Sequence, residues 1–80
     1  MAADEITLEW KPGLSGGFDG YHGSKWVAQV WRAASSVFDY NYRIISASSK
    51  TGWGRITTCI SKDGAMRRAR AAYQVYHDAI

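Results

Sequence analysis

Cysteine is almost missing from this chain of 80 residues. Cys59 stands alone, so an intrachain disulfide is excluded and a reducing, cytoplasmic setting is expected. Proline occurs once, at Pro12, where with Lys11 and Gly13 it closes the first extended segment. No run approaches eighteen apolar residues, which excludes a transmembrane helix and leaves the membrane out as a partner. Residues 1–9 are acidic and lack the apolar core of a secretory signal. Histidine is nearly as scarce as cysteine: His22, His77 and Cys59 fall on three separate segments, and no pair has metal-ligand spacing. Cys59 with His22 and Asp39 is the one conceivable nucleophilic set, and it is too generic to imply catalysis. No catalytic residue, metal site or cofactor is therefore expected. Internal repeats and low-complexity tracts are also absent.

What the chain does have is rings and an uneven charge. Four Trp, five Tyr and two Phe promise an aromatic core, and 46% hydrophobic against 21% charged residues marks a folded domain. A single domain of this size buries only about 60–65% of the surface exposed when unfolded, so such rings matter. The net charge of +3 conceals an asymmetry. Residues 1–20 hold Asp4, Glu5, Glu9 and Asp19 against Lys11, a balance of −3. Residues 21–80 hold nine Lys or Arg against Asp39, Asp63 and Asp78, a balance of +6. A basic body behind an acidic leader favours an anionic partner, nucleic acid or an acidic protein surface, although a plain solvated surface fits the same numbers.

Taken in order, Ile6, Leu8 and Trp10 alternate with Thr7 and Glu9 and predict a half-buried strand over residues 5–11. Residues 12–24 are dense in glycine around Phe18 and Tyr21, and read as an ordered loop or a short hairpin turning at Asp19-Gly20. The glycines match neither G-x-G-x-x-G nor a P-loop. Residues 25–32 predict a strong strand with Trp26, Ala28 and Val30 on one face and Lys25, Val27, Gln29 and Trp31 on the other. A second long strand is expected over 38–47, with Phe38, Tyr40, Tyr42 and Ile44 on one face. A third is expected over 53–60, with Ile56, Thr58 and Ile60 inward and Trp53, Arg55, Thr57 and Cys59 outward.

Residues 61–79 form an amphipathic helix on their periodicity. Met66, Ala69, Tyr73, Tyr76 and Ile80 make one stripe, while Arg67, Arg70, Gln74 and Asp78 lie opposite, with Arg68 on a flank. Ser61 and Asp63 are both suitable N-caps, and Asp63 favours the positive end of the helix in either case. Short connections between strands imply an antiparallel meander of three to four strands with the helix on one face, an α+β domain.

If the helix covers the Trp26, Tyr40, Tyr42 and Ile44 face, then Lys25, Trp31, Arg43, Trp53 and Arg55 share the uncovered one. A basic face with two indoles suits stacking on bases, contact with phosphates, or a protein interface anchored by Trp and Arg. The same residues also fit indoles packed on one another beneath the loop. Arg67, Arg68 and Arg70 form a second basic cluster on the helix, in contact with a partner or with water alone. An open strand edge would allow a homodimer.

The Lys25-Trp26-Val27-Ala28-Gln29-Val30 strand, two further strands and an alanine-rich helix resemble, over residues 25–79, the plant-type AP2 DNA-binding domain. In that family a three-stranded sheet backed by a helix enters the major groove through arginines and tryptophans. The resemblance implies Lys25, Trp31, Arg43, Trp53 and Arg55 as contacts. The chain has Gly20-Tyr21-His22-Gly23 where the family has an arginine-rich first strand, and Arg55-Ile56-Thr57-Thr58-Cys59 where it has W-L-G-T-F. In type, a Trp- and Gly-rich meander with one C-terminal helix is also similar to small phage and mobile-element proteins, including anti-CRISPR inhibitors. That likeness implies stoichiometric binding to a larger protein or ribonucleoprotein effector complex in the cytoplasm of a bacterial host, where nucleic acid is also within reach.

Overall fold

The computed structural model describes residues 5–13, 16–34 and 39–79. Its elements are β1 (Glu9–Pro12), β2 (Phe18–His22), β3 (Lys25–Arg32), β4 (Tyr40–Ile44), β5 (Thr57–Cys59) and α1 (Lys62–Asp78). The strands form one antiparallel sheet in the order β1-β2-β3-β4-β5, each paired with its sequence neighbour. The helix packs across β3 and β4 on one face. The domain is therefore the expected α+β meander with one C-terminal helix, carrying one strand more than the upper expectation.

The added strand is β2, inside the glycine-rich segment. Its glycine at position 20 is a packing residue, and the turn lies further on. Trp10 is the register partner of Gly20, and a Cβ on Gly20 would stand 2.9 Å from the Trp10 ring and 3.2 Å from Ala28 Cβ. The hairpin turns at Gly23-Ser24 between His22 and Lys25, with Gly23 at φ +66. The anticipated turn at Asp19-Gly20 is thus a stretch of ladder.

The leader behaves in two ways. Glu9–Pro12 pairs in the sheet as an edge strand, which accommodates Pro12. Residues 5–8 leave the ladder and lie against the helix, burying Ile6 and Leu8. The Ile6 amide donates to Gln74 Oε1 at 2.7 Å, and Arg70 Nη1 donates to the Ile6 carbonyl at 3.4 Å. Arg70 and Gln74, expected on the water side of the helix, instead pin the leader.

The largest departure is in β3. The predicted bounds, 25–32, are those observed, but the facing changes partway along. Gly20 pairs with Ala28 while Tyr21 pairs with Trp26, so Val27 is an extra residue, a β-bulge. Both Val27 and Ala28 then turn inward with no solvent exposure, and Trp26 is expelled to the opposite face, where it is 42% exposed. The inward position assigned to Trp26 by strict alternation is incorrect for this reason.

Strand β4 is shorter than 38–47; its neighbour Phe38 lies outside the described residues. Trp53 joins the sheet only as an isolated bridge to Ile45, and β5 is shorter than 53–60. Facing in β5 is also inverted. Cys59 pairs with Tyr40 and is buried, whereas Ile56 and Ile60 fall outside the ladder and are 51% and 82% exposed. Both alternating sets of residues 53–60 contain apolar side chains, so periodicity alone could not choose between them.

On α1, Ser61 is the N-cap, accepting from the Gly64 amide at 3.0 Å, and Asp63 occupies the first turn. Ala65, Ala69 and Tyr73 are its buried residues, with Met66 and Tyr76 packed at the core margin; Ile80 lies outside the described residues. Against expectation the core is not aromatic. Among the described residues its largest fully buried side chains are Val27 and Val30, and Tyr73 is the one buried ring. Ala65 and Ala69 let the helix lie close on β3, which leaves no volume for indoles in the centre.

This arrangement predicts unequal costs at neighbouring positions. Val27→Ser should lose at least about 2 kcal/mol, because it removes methyls from a closed core and buries a hydroxyl. Trp26→Ser should lose less than half as much. Urea denaturation of the two variants checks this, and equal losses would return Trp26 to the core.

Candidate binding face of the sheet

The register defines which residues share the face that α1 leaves open. Lys11 pairs with Asp19, Asp19 with Gln29 and Gln29 with Arg43, so these four form one row across β1 to β4. Beside it, Glu9 pairs with Tyr21 and Tyr21 with Trp26; on the other flank, Trp31 pairs with Asn41 and Asn41 with Thr58.

Arg43 is the hub. Its Nε–H donates to Gln29 Oε1 at 2.9 Å, which orients the guanidinium. The guanidinium carbon then lies 4.7 Å from the Trp53 ring centroid and 5.6 Å from that of Trp31, within cation–π range of both. Trp26 meets Trp53 edge-on, with centroids 4.9 Å apart at 69°, and its indole N–H donates to the Ala28 carbonyl at 2.9 Å. Each indole is thus held by a directional contact. At the β1 edge, Lys11 Nζ stands 5.1 Å over the Tyr21 ring and 3.8 Å from Glu9. That exposed ion pair contributes at most about 1 kcal/mol. Alongside Arg43 and Trp31, Gly13, Gly16, Gly17 and Phe18 border a concavity of ≈ 470 Å³, whose lining includes Asp19, Trp26 and Gln29.

Of the residues predicted for this face, Trp31, Arg43 and Trp53 come together. Lys25 does not join them: it begins β3 just after the hairpin turn, exposed, in register with His22. Arg55 is exposed in the irregular stretch between Trp53 and β5. Arg67 and Arg68 are exposed on α1, which covers the opposite face, so they belong to a separate surface. Arg70 is half-buried and holds Ile6 and Gln74. Trp26, Tyr21 and Lys11 are members that periodicity missed. For Trp26 a signal existed: Val27, apolar between Lys25 and Gln29, breaks the alternation of its strand.

The covered side gathers a second group. His22 Nδ1 is 3.1 Å from the Tyr73 hydroxyl, and the His22 and His77 rings meet edge-on with centroids 5.3 Å apart. Asp78, with its carboxylate hydrogen-bonded by Gln74 and His77, titrates below the ordinary carboxylate range. Burial, with Tyr76 beside it, holds the Tyr73 phenol above its usual 10.0. Cys59, opposite Tyr40, lies in the core. Among the described residues no three His, Cys, Asp or Glu side chains are grouped to hold a metal ion, and no helix is long and apolar enough to cross a membrane.

Comparison of the chain with protein-family models, curated proteins and solved structures finds no match. Fold and face therefore define a class only: a small α+β domain presenting an indole and guanidinium surface on the face of its antiparallel sheet that the helix leaves open.

Two outcomes follow. Arg43→Ala should destabilise the domain by about 1–2 kcal/mol, the sum of two partly exposed cation–π contacts, and should shift tryptophan emission; unchanged emission would contradict the packing. Tyr73 has a raised folded pKa, so its contribution is complete below pH 10 and is lost as pH rises through 10 and above, where the unfolded chain ionises first. Denaturation midpoints between pH 9 and 11 should fall less steeply for Tyr73→Phe than for the native chain.

Proposed function

We propose that this chain is a non-catalytic binding protein that acts by occupying a surface on a larger, anionic partner, and that the contact surface is the open sheet face centred on Arg43. The observation that supports this is the set of three indoles, Trp26, Trp31 and Trp53, around one oriented guanidinium on the face that α1 leaves open. Trp and Arg are the side chains that most often anchor an interface, and rings held by neighbours lose little entropy on binding. The face itself balances Lys11 and Arg43 against Glu9 and Asp19, and the basic excess of the chain, most of it elsewhere, supplies long-range attraction to an acidic or nucleic-acid-bearing surface.

A partner with these properties is a nucleic-acid-guided defence complex. The reading is that of a phage-type inhibitor, similar in type to anti-CRISPR proteins, working in the bacterial cytoplasm where such complexes act. Arg67, exposed on the helix, and Arg68, beside Thr58 and Ile60 at the β5 edge, would serve a second contact or steer approach. Direct binding of duplex DNA by the same sheet face is the second reading, favoured by the three-strand-and-helix likeness to the AP2 domain.

The test is inhibition of target-strand cleavage by purified guide-loaded effector complexes. Native protein should inhibit at least one of them, and Arg43→Ala or Trp31→Ala should weaken inhibition by roughly thirtyfold, the size of a hot-spot loss of about 2 kcal/mol. Equal inhibition by native and variant proteins would reject the face. A mobility shift with bare duplex DNA that weakens steeply with salt would favour the second reading.

A further inference from the structure

The concavity beside Arg43 has a chemical character narrower than that of a general interface. We propose that it receives one unstacked nucleobase, with its adjoining phosphate, from a single-stranded nucleic acid. This rests on the open-face reading above and specifies what that face would touch. The volume of ≈ 470 Å³ falls within the range of about 300–1,000 Å³ occupied by small-molecule sites, enough for one nucleotide and far from enough for a duplex.

Three features of the lining select the occupant. First, Trp26 and Trp31 present indole surface, and Trp26 is 42% exposed with its N–H already committed to the Ala28 carbonyl. What it offers a ligand is therefore a ring. A base within a duplex has its faces stacked and cannot use that ring; an extruded or single-stranded base can. Second, Arg43 spends its Nε–H on Gln29, so its plane is oriented before any ligand arrives, and its two Nη groups carry the other four donors. Its guanidinium supplies the charge a phosphate requires. Third, Gln29 and Asp19 are register partners in the same lining, placing a carboxamide and a carboxylate side by side. That pair suits the mixed donor and acceptor edge of a base. An aromatic cage for a quaternary ammonium is disfavoured by Arg43, which already occupies the cationic position over Trp31 and Trp53.

Fluorescence anisotropy with a short fluorescein-labelled oligothymidylate, and with the same strand annealed to oligodeoxyadenylate, tests the proposal at low salt and across a salt series. The single strand should bind at least tenfold more tightly than the duplex. Trp26→Ala should weaken single-strand binding at least about fivefold, the loss expected for one base–aromatic stack. Trp26→Leu, which keeps apolar volume without a π face, should show the same loss and guards against a folding defect in the alanine variant. Arg43→Gln should reduce the dependence of log K on log salt by about 0.7, one single-strand phosphate contact. Absence of single-strand binding at low salt, equal affinity for the duplex, or indifference to both Trp26 variants would each overturn the proposal. Failure here is separable from failure of the broader reading. If effector inhibition still depends on Trp31 and Arg43 while the oligonucleotide is ignored, the face is a protein interface and only the base site is lost.

Discussion

The close approach of α1 to the middle of the sheet governs the rest of the molecule. Ala65 and Ala69 contribute one carbon each to the contact, and they meet Val27, Ala28 and Val30, all without solvent exposure. A seam of such small side chains brings the helix near the strands and closes the centre to rings. The aromatic residues that a domain of this size would otherwise bury must go elsewhere. Trp10 covers Gly20 at the core margin, Tyr40, Tyr42 and Tyr76 pack around its edge, and three indoles are left on the far side of the sheet.

The bulge at Val27 is what makes this distribution compatible with a regular strand. An extra residue lets two neighbouring small apolar side chains, Val27 and Ala28, turn inward together and rotates Trp26 outward. The outward indole meets Trp53, which meets Arg43, which meets Trp31, so one local backbone irregularity supplies a ring to the surface and a neighbour to a guanidinium. The stability of the core and the composition of the open face are thus two results of one packing constraint.

The leader adds a second coupling. Ile6 and Leu8 complete the core from the side, and Gln74 and Arg70 hold the Ile6 backbone by its amide and carbonyl. Residues 5–8 are consequently drawn to the helix, and the arginines expected at one binding surface do not share it. Arg43 belongs to the open sheet face, Arg67 to the helix exterior and Arg68 to the seam between α1 and the β5 edge. A partner that engaged Arg43 and Arg67 together would have to wrap around the sheet.

Much of this was legible in the residues. Period-two runs located β3 and β4 and overlapped β1 at residues 9–11, the 3.6-residue stripe located α1, and Ser61 was among the two caps the sequence allowed. Trp31 and Arg43 were correctly placed together because Gln29, Trp31, Asn41 and Arg43 alternate with residues turned to the core; Trp53 reaches the same face through its bridge to Ile45, although the 53–60 strand that predicted it is inverted. Facing failed where alternation was ambiguous or interrupted: residues 53–60 are apolar on both sides, and the Trp26-Val27-Ala28 run conceals a bulge. Lys25, Arg55 and Arg70 parted from the site because a hairpin end, an irregular segment and a leader contact decide their surroundings, and none of these has a periodic signature. Element type is set by local spacing, which the chain carries in itself. Which side of each element meets the core is set by the distance at which helix and sheet come to rest, and the side chains of Ala65, Ala69, Val27 and Ala28 establish that distance only when tertiary structure brings them together.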